Sequence, residues 1–537
     1  MTPRPLPLAA SVAALALLAG SAQAFTLNIL HFNDFHSRIE SINAFDSTCS
    51  AEDEGAGKCF GGAARLYTAV NTLRDELKAK GGNVAVLDAG DNFQGSLFFT
   101  TYAGAVEADA VQHLGLDAMV YGNHEFDLGT EPLAKFVEAA DFPVLSGNAD
   151  VSGDNLLAPL ALKHVVLDYG GEKVGIVGVV TPETAEISTP GPTVKFLDPA
   201  PFVTDEIAAL EGEGVERIVV LSHLGAPADI DLAEKVAGID AIVGGHSHTL
   251  FSNTDEKAPY KYPLMVDGPD GTPVPIVSAG AYSRDLGHLA LTWDEAGKVT
   301  AATGDTMLLD ASVIPDPAIL ARVKELAGPI EQLKAKVVAH VPTDIDGSRE
   351  TCRAQECAMG DLVADAMLDR VKGQGVTIAL QNGGGLRASI GAGEVSMGDV
   401  LAVLPFQNTL STFNIPGSAI VSALENGVGQ VEEGAGRFPQ VAGLRFTWDP
   451  RVEAGAGRVT AVEVKEGDAW VPIDPSKVYL AVTNNFMRNG GDGYVSLRDE
   501  ATNAYDYGPG LETVLADYLV AHPDYTPGTD GRITRAE

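Results

Sequence analysis

Short apolar runs alternate with stretches of helical periodicity from Phe25 to about Ile314. A helix is predicted over Leu66–Leu77, where apolar residues recur at helical spacing, and Gly81-Gly82 ends it. Strands are predicted for six apolar runs, namely Leu27–Phe32, Asn83–Leu87, Ala118–Tyr121, Val174–Val180, Arg217–Leu221 and Ala241–Val243. Strands that alternate with helices indicate an α/β domain, in which ligands bind beyond the carboxyl ends of the strands.

The pattern changes at Pro315-Asp316-Pro317, which breaks the chain. Apolar residues at helical spacing from Ile319 to Val337 predict a helix, with Pro329 as a kink or restart. Beyond it the chain mixes helices such as Gly360–Val371 with strands. We therefore predict an α+β chain in four segments, namely a signal peptide at 1–24, an α/β domain at 25–314, a connector helix at 315–340 and a mixed α+β domain at 341–537.

Length and charge narrow the function classes. The 537 residues exceed what one hydrophobic core usually supports, which agrees with two domains. The net charge of −37 excludes a protein that binds polymeric nucleic acid, because such binding needs a basic surface. A small anionic ligand is compatible with this charge where cations gather in a cleft.

Residues 1–24 have the features of a secretory signal. Arg4 supplies the positive region, Leu8–Leu18 the apolar core and Ala22-Gln23-Ala24 a small-residue cleavage site. The apolar run is too short for a membrane span, no later segment reads as one, and the polar end of the chain argues against a GPI-type tail. We expect an exported protein in the periplasm or the extracellular space.

The four cysteines form two local pairs, Cys49 with Cys59 and Cys352 with Cys357. Four cysteines allow three pairings, and in an oxidising compartment each local pair can close a small loop. A zinc site of all four is the alternative, but the pairs lie far apart in the chain and neither has CxxC spacing. Two local disulfides are the favoured interpretation.

Polar side chains typical of a metal centre follow the predicted strands. Gly122-Asn123-His124-Glu125-Phe126-Asp127 comes directly after one of them. Its amide oxygen can bind a metal, its imidazole can stabilise or transfer a proton, and a carboxylate can hold that imidazole in one tautomer. The mixed oxygen and nitrogen ligands at these strand ends are Asp34, His36, Asp91, Asn123, His223, His246 and His248.

Seven ligands exceed what one ion needs, and a shared carboxylate could bridge two ions. Two cations roughly 3.5–4 Å apart are a standard arrangement for hydrolysing phosphate esters, because they activate a water and neutralise phosphoryl charge. Mixed imidazole and carboxylate sites accept Zn, Mn, Co or Fe. An ordinary structural role is an equal alternative for any one of these residues, whereas the ordered set favours chemistry.

The ordered motifs DxH, GDNFQGS, GNHEFD, SHLG and GGHSH resemble the metallophosphoesterase domain of the 5′-nucleotidase family, which includes periplasmic UDP-sugar hydrolases and ecto-5′-nucleotidases. The resemblance implies a four-layer αββα sandwich, a nucleotide-binding C-terminal domain and two divalent ions, with zinc expected. It implies that one ion is held by Asp34, His36, Asp91 and His248. It implies that the other is held by Asp91, Asn123, His223 and His246, with a catalytic dyad of His124 and Asp127.

The C-terminal half carries residues suited to a nucleotide. Guanidinium groups bind phosphate oxygens bidentately, and glycines let the backbone approach a ligand. By the resemblance, the phosphate-binding residues are Arg349, Arg353, Asn382 and Arg387. By the same resemblance, the base stacks between Phe406 and Phe486, at about 1–3 kcal/mol per stacked base, and Asp492 accepts a ribose hydroxyl. Without the resemblance, the glycine run reads as a turn and both phenylalanines as core residues.

These observations predict an exported dimetal phosphohydrolase that removes the 5′-phosphate from nucleotides with a metal-activated water. UDP-sugars and nucleoside di- or triphosphates are further candidate substrates. A 2′,3′-cyclic-nucleotide 2′-phosphodiesterase with 3′-nucleotidase activity is the nearest alternative, and a thiosulfate-ester hydrolase is disfavoured because it needs no stacking pair. The full ligand set argues against a silent nucleotide-binding protein.

The two groups of candidate residues lie in different halves of the chain. The metal ligands fall between Asp34 and His248, and the nucleotide-binding residues between Arg349 and Asp492. A substrate meets both only if a cleft between the domains closes, which predicts a hinge. We place that hinge at Lys336–Asp344, where a proline interrupts any helix.

Overall fold

The computed structural model describes residues 24–43, 48–49, 51–406, 408–467 and 469–536. The predicted signal peptide lies outside these residues, apart from Ala24. Within the described part of the chain, no helix combines the length and the apolar character that a bilayer crossing requires.

The first half of the chain alternates strands with helices, as predicted. Its strands are β1 (Phe25–Phe32), β2 (Asn83–Asp88), β3 (Ala118–Val120), β4 (Val144–Leu145), β5 (Ala149–Asp150), β6 (His164–Tyr169), β7 (Glu172–Val180), β8 (Lys195–Phe196), β9 (Arg217–His223), β10 (Ala241–Gly244), β11 (Leu264–Asp267), β12 (Pro273–Val277), β13 (Asp285–Trp293) and β14 (Val299–Leu308). Its helices are α1 (Ala51–Gly55), α2 (Ala63–Ala79), α3 (Leu97–Tyr102), α4 (Ala105–Gln112), α5 (Thr130–Ala139), α6 (Thr184–Ile187), α7 (Pro199–Gly212) and α8 (Ala226–Lys235), with 3-10 turns at His124–Phe126 and Ala158–Leu160.

Two six-stranded sheets form the centre of this half. Their strand orders are β14-β13-β1-β2-β3-β4 and β11-β12-β10-β9-β7-β6, and β5 pairs with β8 separately. Side chains of β1 alternate between two cores: Leu27 and Ile29 pack with residues of β7 and β9, whereas Leu30 and Phe32 pack with α2. Helices α7 and α8 cover the second sheet. The predicted four-layer αββα sandwich is confirmed.

The second half begins with a long helix and continues as mixed α and β structure. Its helices are α9 (Pro317–Lys334), α10 (Arg349–Cys352), α11 (Ala358–Val371), α12 (Met397–Val403), α13 (Gly417–Gly427), α14 (Asn485–Arg488), α15 (Val495–Asp499) and α16 (Leu511–Ala521). Its strands are β15 (Val337–Val341), β16 (Ile378–Asn382), β17 (Gly393–Ser396), β18 (Leu410–Pro416), β19 (Pro439–Ala442), β20 (Leu444–Trp448), β21 (Val459–Glu466), β22 (Ala469–Pro472), β23 (Val478–Asn484), β24 (Thr502–Tyr505) and β25 (Ile533–Arg535). Its 3-10 turns are Lys372–Gln374, Gly383–Gly385, Val431–Glu433 and Gly491–Gly493.

A five-stranded sheet, ordered β19-β16-β23-β18-β24, organises this half. Helices α11 and α16 pack on one face, while α13 and the four-stranded sheet β22-β21-β20-β25 pack on the other. Strands β15 and β17 form a separate pair. The architecture agrees with the predicted mixed α+β domain.

The connector helix is shorter than predicted. Helix α9 includes Pro329 and ends at Lys334, and Val337 begins β15 instead of closing the helical stripe. The run Val337-Val338 is rich in β-branched side chains, which favour a strand once β17 offers a partner. The predicted hinge segment therefore contains a paired strand.

Both predicted disulfides are present, Cys49–Cys59 and Cys352–Cys357. The second one lies between the end of α10 and the start of α11. It closes a short loop that carries Arg353, one of the predicted phosphate-binding residues.

Candidate active site

The predicted metal ligands converge because neighbouring strands end at the same edge. Strands β1, β2 and β3 are parallel, and Asp34, Asp91 and Asn123 follow them in turn. Strands β9 and β10 are also parallel; His223 ends the first, and His246 comes just after the second. The two sheets pack face to face, so these side chains meet at one end of the sandwich.

The turns that carry the ligands hold an uncommon backbone conformation. Asp34, His36, Asp91, His246 and His248 all have φ between 48° and 72°. This left-handed conformation is disfavoured for residues with a Cβ, at about 1–3 kcal/mol each, and it clusters at functional sites. Hydrogen bonds between the loops hold it, because Asp34 N–H donates to the Gly90 carbonyl (2.8 Å) and His36 N–H to the Asp91 carbonyl (2.9 Å).

One group of ligand atoms comprises Asp34, His36 and His248. The Nε2 atoms of His36 and His248 lie 2.9 Å apart. Asp34 Oδ1 is 3.3 Å from His248 Nε2 and 3.9 Å from His36 Nε2. All three residues therefore present a donor atom to one small volume, and His248 belongs to it.

A second group comprises Asp91, His223 and His246. Asp91 Oδ2 lies 3.0 Å from His223 Nε2 and also 3.8 Å from His36 Nε2 in the first group. This carboxylate thus stands between the two groups. Asn123 is buried beside it, and no described residue pairs with either atom of its amide.

The residues fit divalent cations. Nδ1 of His36 donates to the Phe93 carbonyl at 3.1 Å, and Nδ1 of His223 donates to the Ala89 carbonyl at 2.6 Å. Each bond leaves Nε2 facing the cluster as a ligand, the usual support for a metal-binding histidine. Among the described residues, the buried Asn123 amide oxygen lacks a hydrogen-bond partner, and His223 is the only ion-pair partner within 3.5 Å of Asp91 Oδ2. A cation satisfies such groups, whereas an unpaired polar atom in the interior is destabilising.

The pKa shifts of the histidines differ: His36 and His246 are kept neutral, as ligands must be, whereas His223 is not. Burial and the neighbouring His248 hold the pKa of His36 well below its usual range. Burial and His223 lower the pKa of His246 to about 3. Burial alone would lower the pKa of His223 as well, but the Asp91 carboxylate outweighs it and raises the pKa to about 10. Ligation of a cation requires neutral imidazoles, so it would displace this proton.

His124 and Asp127 form the predicted dyad. His124 Nδ1 lies 2.6 Å from Asp127 Oδ2. The other carboxylate oxygen of Asp127 accepts a hydrogen bond from Ser188 Oγ at 2.8 Å. The backbone N–H of His124 donates to Asp91 Oδ1 at 2.8 Å, which ties the dyad to the metal ligands. Burial would lower the pKa of His124, but Asp127 and Asp91 outweigh it and raise the pKa to about 9.

The seven predicted nucleotide-binding residues all lie in the C-terminal half, and some of them lie close together. Asn382 Nδ2 donates to Asp492 Oδ2 at 2.7 Å. The Arg387 guanidinium lies 5.4 Å from the centre of the Phe406 ring. The set is completed by Arg349 and Arg353, which are close enough to interact electrostatically, and by Phe486, whose ring packs against Gly491.

Arg353 is the most enclosed of the predicted arginines. Its side chain is buried and donates to the Gly434 carbonyl at 3.3 Å. Burial and the nearby guanidinium groups of Arg349 and Arg387 lower its pKa. Three cations gathered against one another suit an anion such as a phosphate group.

Known protein families match both halves of the chain. The family model described as calcineurin-like phosphoesterase matches residues 27–250, and the model described as 5′-nucleotidase, C-terminal domain, matches residues 337–499. A human 5′-nucleotidase is 36% identical over 539 residues, covering 96% of this chain and 92% of that protein.

The chain belongs to the 5′-nucleotidase family. It is a metal-dependent phosphoester hydrolase, and hydrolysis of nucleotides is the activity of its relatives by name. Both halves of the chain contribute to this membership, which confirms the resemblance seen in the strand-end motifs.

Two solved structures are similar over almost the whole chain. A 5′-nucleotidase precursor from Thermus thermophilus is 40% identical, with a TM-score of 0.60, and the match covers 95% of this chain and 99% of that one. An NAD nucleotidase from Haemophilus influenzae is 27% identical, with a TM-score of 0.78, and covers 96% of this chain and 100% of that one.

Glu125 is a residue of this 5′-nucleotidase family site whose role was missed, although it lies inside the GNHEFD motif. Its buried carboxylate accepts the backbone N–H groups of Gly122 (2.6 Å), Asp91 (3.0 Å) and Asn92 (2.7 Å). It therefore fixes the loop after β2 against the loop after β3. The sequence offered one indication of this role, because the segment 122–127 contains a second carboxylate besides Asp127.

Tyr507 is the other residue that sequence reasoning missed. It comes from the C-terminal half, yet its ring lies 4.4 Å from the His248 ring and 5.9 Å from the His246 ring. Next to it, the Gly508 carbonyl accepts a bond from Gln94 Nε2 at 3.2 Å. Only the local run Tyr505–Gly510, rich in aromatics and glycine, could have suggested an exposed recognition loop.

Two cavities flank Tyr507. One, of about 470 Å³, is lined by His124, Asp127 and Tyr505, and the other, of about 810 Å³, by His248 and Asn485. Each cavity takes part of its lining from both halves of the chain. The cleft between the halves therefore leads to both the dyad and the proposed ligands.

Proposed function

We propose that this protein is an exported 5′-nucleotidase that removes the terminal 5′-phosphate of nucleotides at a two-metal centre. The observation that carries the proposal is the position of Asp91, whose Oδ2 faces both His36 and His223 while its Oδ1 accepts from the His124 backbone. One carboxylate thus links two ligand groups to the dyad. Membership of the family supports the same chemistry.

The seven ligands divide between two ions. We assign Asp34, His36, Asp91 and His248 to one, and Asp91, Asn123, His223 and His246 to the other. When bound, such ions supply an activated water and neutralise charge on the phosphoryl group. Imidazole and carboxylate donors suit zinc, and they also accept manganese, cobalt or iron.

His124 acts on the phosphoryl group through Nε2, because Nδ1 is held by Asp127. Asp127 fixes the tautomer of the ring, and Ser188 in turn orients Asp127. A protonated Nε2 donates to a phosphoryl oxygen on which negative charge increases in the transition state. The hydrogen bond from the His124 backbone N–H to Asp91 keeps this imidazole at a fixed distance from the proposed metal ligands.

The C-terminal half holds the rest of the nucleotide. Arg349, Arg353 and Arg387 bind phosphate oxygens, together with Asn382. Phe406 and Phe486 stack on the base, and Asp492 accepts a ribose hydroxyl. We assign residues 25–314 to the catalytic domain and 337–537 to this domain, and end the connector at Lys336, because β15 pairs within the C-terminal half.

Turnover requires the two halves to rearrange. In this structure Tyr507, and not an arginine of the nucleotide pocket, faces the metal ligands. The Thermus thermophilus structure is more identical in sequence than the Haemophilus influenzae one yet has the lower TM-score, as expected where domain arrangements differ. We place the hinge at the flanks of β15, near Ala335 and Pro342, because the strand itself is paired.

Export is supported by the chemistry of the cysteines. Both pairs are disulfides, and the described residues contain no free cysteine. Disulfides persist in oxidising compartments and are rare in the cytosol. The predicted leader at 1–24 agrees with secretion into the periplasm or the extracellular space.

Cleavage of dinucleotides is a second candidate activity. The observation that favours it is the TM-score of 0.78 to the Haemophilus influenzae NAD nucleotidase. The cleft between the halves contains two cavities, so a ligand larger than a mononucleotide has space.

The deciding experiment measures phosphate or product release from AMP, ADP, ATP, UDP-glucose, NAD, 3′-AMP and 2′,3′-cyclic AMP with manganese- or zinc-loaded protein. We expect AMP to have the highest kcat/KM. The matched control is His124→Ala, prepared in parallel, which separates this activity from a contaminating phosphatase. A preference for 3′-AMP or the cyclic nucleotide would replace the proposal with its nearest alternative.

A further inference from the structure

A buried carboxylate without a hydrogen-bond donor of good geometry lies in the C-terminal half, at the start of α11. The side chain of Asp361 is 2% exposed, and neither of its oxygens has a hydrogen-bond partner among the described residues. Carboxylate oxygens of Glu356 and Asp530 lie within 4.8 Å of it and of each other. Interior carboxylates are normally matched by donors or by a cation.

Arg532 is the nearby cation, but its donors are committed elsewhere. Its Nε and Nη2 donate to the two oxygens of Asp530 at 2.9 and 2.8 Å. Its Nη1 donates to Asp365 at 2.9 Å and to the Val441 carbonyl at 3.0 Å. The closest approach to Asp361 is 3.5 Å, from the Nε that already serves Asp530.

The local charge is not balanced by this arginine. Three carboxylates, those of Asp361, Asp365 and Asp530, lie within 4 Å of one guanidinium, and Glu356 lies beside Asp361 and Asp530. The Glu356 oxygens are further fixed by the backbone N–H groups of Asp530, Gly531 and Ile533, at 2.8, 2.9 and 2.8 Å. Fixed, oxygen-only donors around a buried anion have the chemistry of a hard-cation site.

We propose that Glu356, Asp361 and Asp530 bind one divalent cation of the calcium type. Calcium takes six to eight oxygen ligands in flexible geometry, and carboxylates can supply two oxygens each. The three candidate ligands are all carboxylates, and the group contains no imidazole or thiolate that would select zinc. The site is distinct from the proposed catalytic centre, whose donors are mainly histidines.

The cation would join two segments that are distant in sequence. Glu356 lies in the loop closed by Cys352–Cys357, whereas Asp530 lies just before β25 near the end of the described chain. Binding would hold this terminal strand against the start of α11. Because the unfolded chain lacks the site, a bound cation must stabilise the folded domain.

Protonation of Asp361 is the alternative to a bound cation. Burial raises the pKa of Asp361 to about 9, so a neutral acid beside Glu356 is the alternative explanation of the cluster. Asp361→Asn distinguishes the two, because asparagine has the shape of the neutral acid but cannot supply the charge that a cation needs. A protonated site tolerates this change, whereas a calcium site loses its central ligand.

The test uses full-length protein loaded with its catalytic metal. Equilibrium dialysis with calcium and the unfolding midpoint with and without calcium are measured for wild type, Asp361→Asn and Glu500→Gln, an exposed control in the same half. We expect one additional calcium per wild-type or Glu500→Gln chain and a higher midpoint. Asp361→Asn should bind calcium at least about tenfold more weakly, and calcium should not raise its unfolding midpoint.

Two results would overturn the proposal. The first is a wild type that binds no additional calcium, with Asp361→Asn equally stable, which assigns the site to a proton. The second is unchanged calcium binding in Asp361→Asn, which places the ion elsewhere. If Asp361→Asn does not fold, Asp530→Asn at the exposed edge replaces it, and equal affinity in that variant has the same meaning.

Discussion

The proposed metal centre and the proposed nucleotide pocket are built differently. The metal ligands Asp34, Asp91 and His223 are fully buried and are fixed by backbone bonds at the ends of strands. In the pocket, by contrast, Arg349 and Arg387 are exposed: Arg349 begins the short helix α10, and Arg387 lies in irregular structure. Buried strand ends therefore position the proposed reacting groups, while part of the proposed nucleotide pocket is open to solvent.

The two sites also differ in what they already contact. The proposed metal ligands already converge at one end of the sandwich, which is the preorganisation that the proposed chemistry needs. The proposed pocket residues lie within the other half, and Tyr507 faces the histidines here, so our proposal requires a rearrangement to bring the pocket to the centre. Changes in the first site should alter kcat, and changes in the second should alter KM.

The largest effect is expected for Asp91→Ala. This change removes a carboxylate that faces both ligand groups, so both proposed ions and the activity should be lost together. Elemental analysis and turnover with AMP are the measurements, and circular dichroism should report an intact fold. Asp127→Ala, from the same cleft, should keep its metals. Two metals per chain with normal turnover in Asp91→Ala would remove the basis of the metal assignment.

A crosslink between the two halves should stop turnover as completely as Asp91→Ala does. Thr100 in α3 and Thr513 in α16 line the same cavity from opposite halves. A bismaleimide that joins Thr100→Cys to Thr513→Cys would hold Tyr507 at the metal ligands, and the described chain offers no competing free cysteine. Turnover of AMP before and after the reaction is the measurement.

The control for the locked form is the same double variant treated with a monofunctional maleimide, which adds bulk without a link. It should retain most of its turnover. Full activity of the crosslinked protein would show that the arrangement seen here is itself competent, and the rearrangement proposal would fail.

His124→Ala should lower kcat by about 10²–10⁴-fold and leave KM nearly unchanged, because its imidazole acts mainly in the transition state. Metal content should stay at the wild-type level. Ser188→Ala is a graded comparison, since it removes only the bond that orients Asp127, and it should cost much less. A loss of metal in step with kcat would assign His124 to metal binding instead.

The sequence allowed the convergence of the predicted ligands to be anticipated, because each lies shortly after an apolar run. Parallel strands bring such positions to one edge, so local pattern carried tertiary information for Asp34, Asp91 and His223. Helix α9 was overextended at Val337, where pairing with β17 overrides the helical spacing. Tyr507 could not be predicted, because its position depends on how two halves of the chain meet.

Phe486→Ala tests the pocket alone. Loss of one stacking face should raise KM for AMP by about 5–150-fold, the equivalent of 1–3 kcal/mol. Hydrolysis of p-nitrophenyl phosphate, which has no base, should be nearly intact. Because the ring also packs beside Gly491, Phe486→Leu serves as a control that keeps apolar volume without an aromatic face. Equal losses on both substrates would indicate a structural role for Phe486.

The smallest effect is expected for Cys352→Ser/Cys357→Ser, which opens the loop that carries Arg353. Gln440 also holds this loop, because its Nε2 donates to the Cys352 carbonyl at 3.0 Å and its Oε1 accepts the Cys357 N–H at 3.2 Å. The arginine should therefore move only slightly, and KM for AMP should rise by a few-fold with kcat unchanged. Steady-state kinetics measure this split.

Cys49→Ser/Cys59→Ser is the matched comparison, because that disulfide closes a loop without any proposed ligand. It should lower the unfolding temperature and leave KM alone. If the Cys352–Cys357 variant behaves the same way, Gln440 alone is sufficient to position Arg353. In that case Gln440→Ala should raise KM where removal of the disulfide does not, since it deletes the three hydrogen bonds between Gln440 and the loop.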